Sequence, residues 1–344
     1  MNKSKRQDLI LQQLLNAAPQ QLHATSELAE QFGVSESTIR RDLQHLADSG
    51  LLQRQYGGAQ LRQPAESTDM GSVGILLVSR IDKYRDPFYN MVLEGVDRGL
   101  ERFGYHIAFV KTLYEIGTTA QAERLLESFD IKGLILLGTD NSESITYLRQ
   151  HVSPIVSMTD KHDIEDDLVI FDGEHGIRMM VRHLANLEYG RLAFITGYAD
   201  IRDDGFCKGL VEYGLVRDAS LHLVLEPGPS GWTPDLGERG AELLMSRSKK
   251  PDAIVCASDR LAIGAMAWLQ QNGYRVPEDI AVTGFDNIPD SQFTFPPVTT
   301  VHVHKVRLGE LAAERLVTRI NNPDDVRLKI ITPTHLVVRH SCGA

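Results

Sequence analysis

Residues 253–287 read AIVCASDRLAIGAMAWLQQNGYRVPEDIAVTGFDN, and their pattern is the strongest indication of the fold class. It opens with a short apolar run at 253–258, continues with an amphipathic segment at 259–272, and closes with a second apolar run at 280–286. Two such runs, bounded by Pro, Asp and Gly and separated by a helix of this length, predict a strand, a helix and a parallel strand. Such βαβ units are typical of α/β folds with parallel sheets.

The same alternation extends outward from this stretch to residue 72. Apolar runs such as GILLV at 74–78 predict strands that helices cover on both faces of a sheet. The predicted strands lie at 73–79, 106–111, 133–138, 154–158, 168–172, 192–197, 221–226, 253–258 and 280–286. Nine strands in about 270 residues are too many for one ordinary core, so we expect two lobes.

Composition narrows the classes of protein to which the chain can belong. The 344 residues are 42% hydrophobic and 24% charged, as in globular proteins. No apolar run reaches the length of about 18 residues that a membrane helix needs, and the N-terminus does not resemble a secretory signal. Three cysteines without a CxxC motif predict reduced thiols, a cytoplasmic location and no zinc site; they are Cys207, Cys256 and Cys342.

The net charge of −10 argues against nucleic-acid binding only when the chain is taken as a whole. Residues 1–62 carry seven Lys or Arg and six Asp or Glu, a net charge of +1. The remaining residues carry 29 Lys or Arg and 40 Asp or Glu, a net charge of −11. The acidity therefore belongs to the larger part of the chain, and the N-terminal part remains a candidate for contact with nucleic acid.

Residues 1–50 predict three helices. We expect the first at 5–17, the second at 26–32 with Thr25 as its N-cap, and the third from the Ser35 N-cap to residue 49. Gly33 supplies the turn between the last two, which gives the helix-turn-helix pattern.

The third predicted helix has two contrasting faces. Ile39, Leu43 and Leu46 form an apolar stripe, and polar side chains that include Arg41 lie opposite, where they could bind phosphates and base edges in a major groove. Periodicity alone also allows an ordinary solvated helix hairpin. A short predicted strand at 51–54 and a turn at 55–58 follow, as in the wing of a winged helix.

Residues 34–59, VSESTIRRDLQHLADSGLLQRQYGGA, resemble the DeoR-type winged-helix signature, in which a TIRRDL helix precedes a wing that ends in Gly-Gly-Ala. This resemblance implies a small, mostly helical DNA-binding domain at 1–60, followed by a linker at 61–71. It leaves open which side chains contact bases and which contact phosphates. The implied DNA-contacting residues are Ser37, Thr38, Arg40, Arg41, Arg54 and Tyr56.

Residues 72–344 resemble a second family, the ligand-binding part of the lactose/galactose-type repressors, which share the periplasmic sugar-binding fold. The resemblance rests on VGILLVSRIDKYRDPFYNMVLEGV at 73–96, GRLAFITG at 190–197, IRDDGFCKGL at 201–210, FPPVTTV at 295–301 and the stretch quoted first. It implies two lobes joined by three crossings, with a ligand in the cleft between them. We expect the first lobe at 72–160 and 290–322, and the second at 161–289 and 323–344.

A sugar ligand would need carboxylates and guanidinium groups for its hydroxyls and an aromatic ring for its C–H face. Such groups meet where parallel strands end. The sequence leaves alternatives open: Asp172 could serve only its loop, Phe88 only the core and Trp232 only the rim, and Asp259 is expected to be a helix N-cap. The effector contacts implied by the resemblance are Phe88, Tyr89, Asp172, Arg202, Trp232, Ser258 and Asp286.

Together the two resemblances predict a repressor of sugar-utilisation genes that binds operator DNA as a homodimer and is released by a sugar. The alternative is the same regulator with a nucleoside, purine or sugar phosphate as effector, which could also act as a corepressor. The candidates for contact with a phosphate group are Lys83, Arg85 and Arg260. A binding protein without a regulatory role or an enzyme is the third reading. The linker has no equivalent of the hinge helix of lactose-type repressors, so that mechanism is not expected here.

Neither a cofactor nor a metal is expected. A phosphate-binding loop of the GxxxxGK[ST] type is missing from the sequence, and no catalytic set stands out in it. His302 and His304 would place two imidazoles on one face of a strand, but the sequence indicates no third ligand.

Overall fold

The computed structural model describes residues 3–15, 22–48, 52–55, 57–61, 70–77, 83–138, 142–159, 165–228 and 231–344. The contacts within the chain divide it into two units, Met1–Met70 and Gly71–Ala344. Most of the predicted linker, 62–69, lies outside the described residues.

The first unit contains three helices and a small antiparallel sheet in its described residues. The elements are α1 (Lys3–Leu15), β1 (His23–Ala24), α2 (Thr25–Phe32), α3 (Glu36–Asp48), β2 (Leu52–Gln55) and β3 (Gly58–Leu61), with β3 between β1 and β2. Gly33 ends α2 in the left-handed conformation, with φ of 60°, which glycine adopts without strain. A core of apolar side chains joins the helices to the sheet; it includes Ile10, Leu28, Ile39, Leu43 and Leu52.

Two details of this unit differ from the prediction. Thr25 is the first residue of α2 and is buried, and Ala24 holds the N-cap position without a side-chain hydrogen bond. Strand β2 includes Gln55 and β3 begins at Gly58, where a turn was expected. Backbone pairing of Gly58 with Ala24 extends the sheet into the predicted turn.

The second unit begins with a six-stranded parallel sheet, in the order β14-β8-β7-β6-β4-β5. Its strands are β4 (Gly71–Leu77), β5 (Tyr105–Thr112), β6 (Ile131–Leu137), β7 (Ile155–Met158), β8 (Asp167–Phe171) and, from near the C-terminus, β14 (Lys329–Thr332). The helices of this lobe are α4 (Pro87–Glu101), α5 (Thr119–Ser128), α6 (Glu143–His151) and α11 (Lys305–Asn321). Apolar side chains cover both faces of the sheet, as the continuous apolar strands predict.

The second lobe holds a four-stranded parallel sheet, in the order β10-β9-β11-β12. Its strands are β9 (Leu192–Thr196), β10 (His222–Val224), β11 (Ala253–Cys256) and β12 (Ala281–Thr283), and its helices are α7 (Gly173–Asn186), α8 (Ile201–Glu212), α9 (Pro234–Met245) and α10 (Asp259–Gln271). The stretch quoted first forms β11, α10 and β12, with Ile254 opposite Val282 in parallel register. The predicted α/β class with parallel sheets is therefore confirmed.

The lobe boundaries differ from the predicted ones. Strand β8 and strand β14 pair in the first sheet, with Val169 opposite Ile330, although both were expected in the second lobe. Conversely, β13 (Thr300–His302) was expected in the first lobe, but the chain around it bridges to β12 through Thr283 and Thr299. The chain thus crosses between the lobes near residues 172, 304 and 333. After the third crossing, β15 (His335–Val337) pairs with β13. The runs that contain these strands are short, so their periodicity did not show to which lobe each strand belongs.

Within the described part of the chain, no helix is long and apolar enough to cross a membrane.

Candidate effector cleft and DNA-binding surface

A cleft of about 680 Å³ lies between the two lobes of the second unit. Its first-lobe wall comes from the carboxyl ends of parallel strands and the start of α4, and its second-lobe wall comes from the starts of α8 and α10. Five aromatic side chains line it: Phe88, Tyr89, Phe171, Tyr198 and Trp232. Six of the seven predicted effector residues lie on this lining; the exception is Asp172.

Arg202 is held at the floor of the cleft by a carboxylate and by ring faces. Its Nε donates to Asp200 Oδ1 at 3.1 Å, and its Nη1 donates to the Ala257 carbonyl at 2.8 Å. Its Cζ lies 4.4 Å from the centroid of the Trp232 ring. Burial opposes the charge, but the Asp200 carboxylate outweighs burial and raises the pKa of Arg202 above its ordinary value. The guanidinium is therefore charged, and the Asp200 carboxylate balances that charge.

Trp232 depends on a glycine for its position. A Cβ atom at Gly197 would lie 1.9 Å from Trp232 Nε1, so any side chain there would displace the indole. The indole N–H is buried without a hydrogen-bond partner in the described structure. The block GRLAFITG thus ends on the glycine that seats the cleft's tryptophan.

Behind the cleft, the buried ammonium group of Lys305 supports the backbone of the loop that carries Asp286. Asp286 lines the cleft and has a positive φ of 103°, a conformation that costs a non-glycine residue energy and that clusters at functional sites. Lys305 Nζ donates to the carbonyls of Asp286, Asn287 and Val303, the last two at 3.1 and 3.2 Å. Burial raises the pKa of the Asp286 carboxyl well above its ordinary value, although Arg202 opposes the shift.

Asp259 is not the N-cap of α10, as was predicted. Ser258 holds that position, and its Oγ accepts from Leu261 N at 3.3 Å. The Asp259 carboxylate is completely buried and accepts from Ile288 N at 2.7 Å and from Thr300 Oγ1 at 2.5 Å. Burial raises its pKa to about 7, against the effect of these two donors. Its role is therefore to fix the loop that carries Asp286.

Asp172 does not reach the cleft. It is the N-cap of α7, and its Oδ1 accepts from His175 N at 3.0 Å. The neighbouring Phe171 lines the cleft in its place. Of the two roles left open for Asp172, the structure supports the one within its own loop.

Sequence reasoning missed several residues that shape the cleft. Asp200 neutralises Arg202, Asp86 lies opposite Arg260, and Lys305 supports the Asp286 loop. Asp86 before Pro87 has the sequence signature of an N-cap and first helical turn, and its Oδ1 accepts from Phe88 N at 3.0 Å. Asp200 has a comparable local signature, since it is the N-cap of α8 in a capping box with Asp203. Lys305 gives no local signal, because it contacts a turn 18 and 19 residues earlier in the chain.

The expected histidine pair has a third member. His302 lies in β13, but His304 is the N-cap of α11 and not part of the strand. The ring centroids of His302 and His335 are 4.7 Å apart, as are those of His302 and His304. Among the described residues, no group of three His, Cys, Asp or Glu side chains has an arrangement that could hold a metal ion.

The predicted DNA-contacting side chains lie on α3 and on β2. Ser37, Arg40 and Arg41 are exposed on α3, and Thr38 is half-buried. Arg40 pairs with Glu36 at 2.8 Å, and Arg54 on β2 donates to Gln44 Oε1 at 2.9 Å, which links the wing strand to the exposed face of α3. Tyr56 lies outside the described residues.

The opposite face of α3 is tied to α1 by an ion pair that sequence reasoning did not find. Asp42 is buried and accepts from Arg6 Nε at 2.6 Å and from Gln7 Nε2 at 2.9 Å. Within TIRRDL, the arginines at 40 and 41 are therefore exposed while the aspartate orients the helix.

Comparisons with known proteins agree with both units. Residues 6–65 match the family described as a DeoR-like helix-turn-helix domain, and residues 181–342 match the periplasmic binding protein-like domain. The HTH-type transcriptional repressor PurR of Aliivibrio fischeri (strain MJ11) is 30% identical over 294 residues, which cover 83% of this chain and 85% of the repressor. The PurR repressor of Mannheimia succiniciproducens is 24% identical over 92% of this chain and 97% of its own length.

Solved structures give the same family. A LacI transcriptional regulator from Bacillus cereus subsp. cytotoxis has a TM-score of 0.72 and 26% identity, and the match covers 79% of this chain and 98% of that one. The transcriptional regulator CelR in complex with cellobiose has a TM-score of 0.70 and 26% identity, over 90% of this chain and 91% of CelR. The chain therefore belongs to the LacI-type family of DNA-binding transcriptional regulators, and it joins a DeoR-like helix-turn-helix domain to a periplasmic-binding-protein-like domain.

Proposed function

We propose that this chain is a transcriptional repressor whose affinity for operator DNA is set by a small molecule in the cleft between the lobes. The observation that carries the proposal is the convergence of Arg202, Trp232 and Asp286 on one cleft lined by both lobes. A ligand that contacts both walls binds one relative arrangement of the lobes better than another. It can therefore change DNA affinity through that difference.

We propose a purine base or nucleoside as the effector, in place of the sugar that the sequence favoured. The reported repressor relatives are named PurR, a name that points to purines. The five aromatic rings of the cleft suit a planar heterocycle, since stacked or edge-to-face ring pairs are favourable. The raised pKa of Asp286 supports a neutral carboxyl, which can both donate and accept a hydrogen bond, as the edge of a base requires.

A neutral sugar is the second candidate, and one specific observation favours it. The CelR structure that this chain resembles holds cellobiose. Aromatic faces next to aspartates also suit a sugar, because its C–H face packs on rings and its hydroxyls donate to carboxylates.

For DNA binding we propose the exposed face of α3 together with the wing strand. Ser37, Thr38, Arg40 and Arg41 would enter the major groove or contact its phosphates, and Arg54 would contact the backbone beside it. Tyr56 is proposed from the resemblance alone.

We also propose a homodimer. Phe293 and Phe295 are 80% and 89% exposed on one loop of the second unit, and two such rings together in water favour an interface. Each DNA-binding unit has only a small positive charge, and a dimer would compensate by binding DNA with two such units.

A ligand panel tests the effector. The full chain would be heated with hypoxanthine, guanine, inosine, adenosine, glucose and cellobiose, because a true ligand raises the melting temperature by mass action. We expect a base or nucleoside to stabilise the chain and to change its affinity for DNA from its own upstream region. Stabilisation by the sugars alone would support the second candidate. Equal binding to upstream and random DNA would contradict the proposal that the chain is a transcriptional repressor.

A further inference from the structure

The charges of the cleft are arranged so that both cations on its described lining are already neutralised. Five aspartates and two arginines line it in the described part of the chain. Arg202 is bound by Asp200, and Arg260 donates from Nη1 to Asp86 Oδ2 at 3.3 Å. The remaining aspartates are Asp203, Asp204 and Asp286.

The pair of Asp86 and Arg260 spans the cleft. Asp86 is the N-cap of α4 in the first lobe, and Arg260 lies in the first turn of α10 in the second. Their side chains are only 7% and 19% exposed. Because water screens a pair of this burial less than a surface pair, each charge effectively cancels the other for a ligand in the cleft.

We propose that the Asp86–Arg260 pair is an anion filter, which makes the cleft accept uncharged effectors and reject phosphorylated ones. A phosphate group entering the cleft would lose hydration without gaining a free guanidinium, and it would meet the exposed carboxylate of Asp204. The carboxylate of Asp203 already pairs with His222 Nε2 at 2.6 Å. This inference rests on the proposed function, and it narrows the effector to an unphosphorylated base, nucleoside or sugar.

The other cations that the sequence suggested for a phosphate do not line the cleft. Lys83 Nζ donates to the Val110 carbonyl and to Glu115 Oε1, both at 2.9 Å. Arg85 is exposed and is not part of the lining. Of these three candidates, Arg260 lines the cleft, so binding of a phosphorylated ligand would depend on it.

The filter predicts that removal of one negative charge has different effects at two positions. Asp86→Asn frees the Arg260 guanidinium and keeps an N-cap, since asparagine serves there as well as aspartate. Asp204→Asn removes the same charge from the same cleft but leaves the Asp86–Arg260 pair intact. The double variant Asp86→Asn with Arg260→Gln removes the freed cation again.

The test measures binding to the full chain by calorimetry, with inosine against inosine 5′-monophosphate, glucose against glucose 6-phosphate, and inorganic phosphate alone. We expect the wild type to bind neither phosphorylated compound better than its parent. Asp86→Asn should bind phosphorylated compounds and phosphate about tenfold or more tightly than the wild type, because hydrogen bonds between charged groups are strong. Asp204→Asn removes a repulsive carboxylate without freeing a guanidinium, so it should gain much less affinity for phosphate than Asp86→Asn, and the double variant should show no gain.

Two results would overturn the filter. One is a wild type that binds a phosphorylated compound more tightly than its parent, and the other is an Asp86→Asn variant that gains no more affinity for phosphate than Asp204→Asn. Inorganic phosphate makes no demand on a base or a sugar ring. If no base, nucleoside or sugar binds the wild type, the proposed effector class fails, and the phosphate comparison still decides the filter.

Discussion

At the scale of single residues, three buried aspartates near the cleft differ because their neighbours differ. Asp200 lies against the Arg202 guanidinium, and the two form a charged pair. Burial raises the pKa of the Asp286 carboxyl, although the charge of Arg202 opposes the shift. Asp259 accepts two hydrogen bonds, yet burial still raises its pKa to about 7. The sequence alone does not show these neighbours, so it could not predict how the pKa values of the three carboxyl groups differ.

Trp232 offers a test of the ligand wall. Trp232→Leu removes the ring over Arg202, and a desolvated cation–π contact contributes about 2 kcal/mol, so we expect ligand affinity to fall at least about tenfold. Affinity for DNA without ligand should not change. Titration calorimetry and DNA anisotropy measure the two, and Trp268→Phe, outside the cleft lining, is the matched control. Unchanged ligand affinity in Trp232→Leu would exclude the ring from the site.

Asp259 predicts a pH dependence of stability. Its pKa rises from 3.8 to about 7 on folding, so the folded chain holds this proton when the unfolded chain has lost it. The group therefore stabilises the fold fully below about pH 4, and this contribution is lost as pH rises to about 7. Asp259→Asn should make the free energy of unfolding depend less on pH across this window, as measured by denaturant titration. An unchanged slope would show that Asp259 is ionised in the folded chain.

At the scale of elements, the sequence predicted the long periodic segments well and the crossings poorly. The βαβ stretch at 253–287 appears as β11, α10 and β12, because apolar runs and an amphipathic helix carry their own periodicity. Strands β14 and β15 were missed, since three or four residues at a crossing carry too little pattern and take their structure from distant partners such as Val169 and Val301. A strand was expected at His302, but it was assigned to the wrong lobe.

The site followed the same rule as the fold. Residues at the ends of periodic elements, such as Ser258, Arg202 and Asp286, could be placed on the cleft from sequence and resemblance. The partners that set their charge could not, because Lys305 and Asp286 are brought together by the crossing into α11. Asp172 was misplaced because a strand end offers both a cleft position and an N-cap position, and its carboxylate takes the second.

Helix α3 can be tested by a change on its exposed face. Arg41→Ala should weaken binding to upstream DNA by about 1–3 kcal/mol, through loss of a base or phosphate contact, and leave ligand binding unchanged. Fluorescence anisotropy at two salt concentrations measures it, and a smaller salt dependence would mark a phosphate contact. Arg98→Ala on α4 is the control for lost positive charge. Equal DNA binding by Arg41→Ala and wild type would remove α3 from the interface.

At the scale of the whole molecule, charge and oligomeric state are connected. Residues 1–62 carry a net charge of only +1, and the rest of the chain carries −11. Few phosphate contacts and a repulsive sensor make a single DNA-binding unit weak, so tight binding should depend on pairing two chains.

The exposed loop of the second unit tests this dependence. Phe293→Glu should shift the chain toward monomers in sedimentation velocity, because a buried carboxylate at an interface is costly, and DNA affinity should fall with it. Val211→Glu changes an exposed apolar residue elsewhere and should affect neither property. A Phe293→Glu variant that stays dimeric would place the interface elsewhere, and a monomer that holds upstream DNA tightly would contradict the need for pairing.

If a ligand in the cleft sets the affinity for DNA, DNA must change the affinity for that ligand by the same factor. The affinity of the full chain for labelled upstream DNA is measured with and without the ligand that the panel identifies, and the affinity for that ligand is measured with and without the DNA. We predict that both ratios differ from one by the same factor, about 5–150-fold, because coupling between two sites is a single free energy. A ligand that occupies the cleft and leaves DNA affinity unchanged would contradict it.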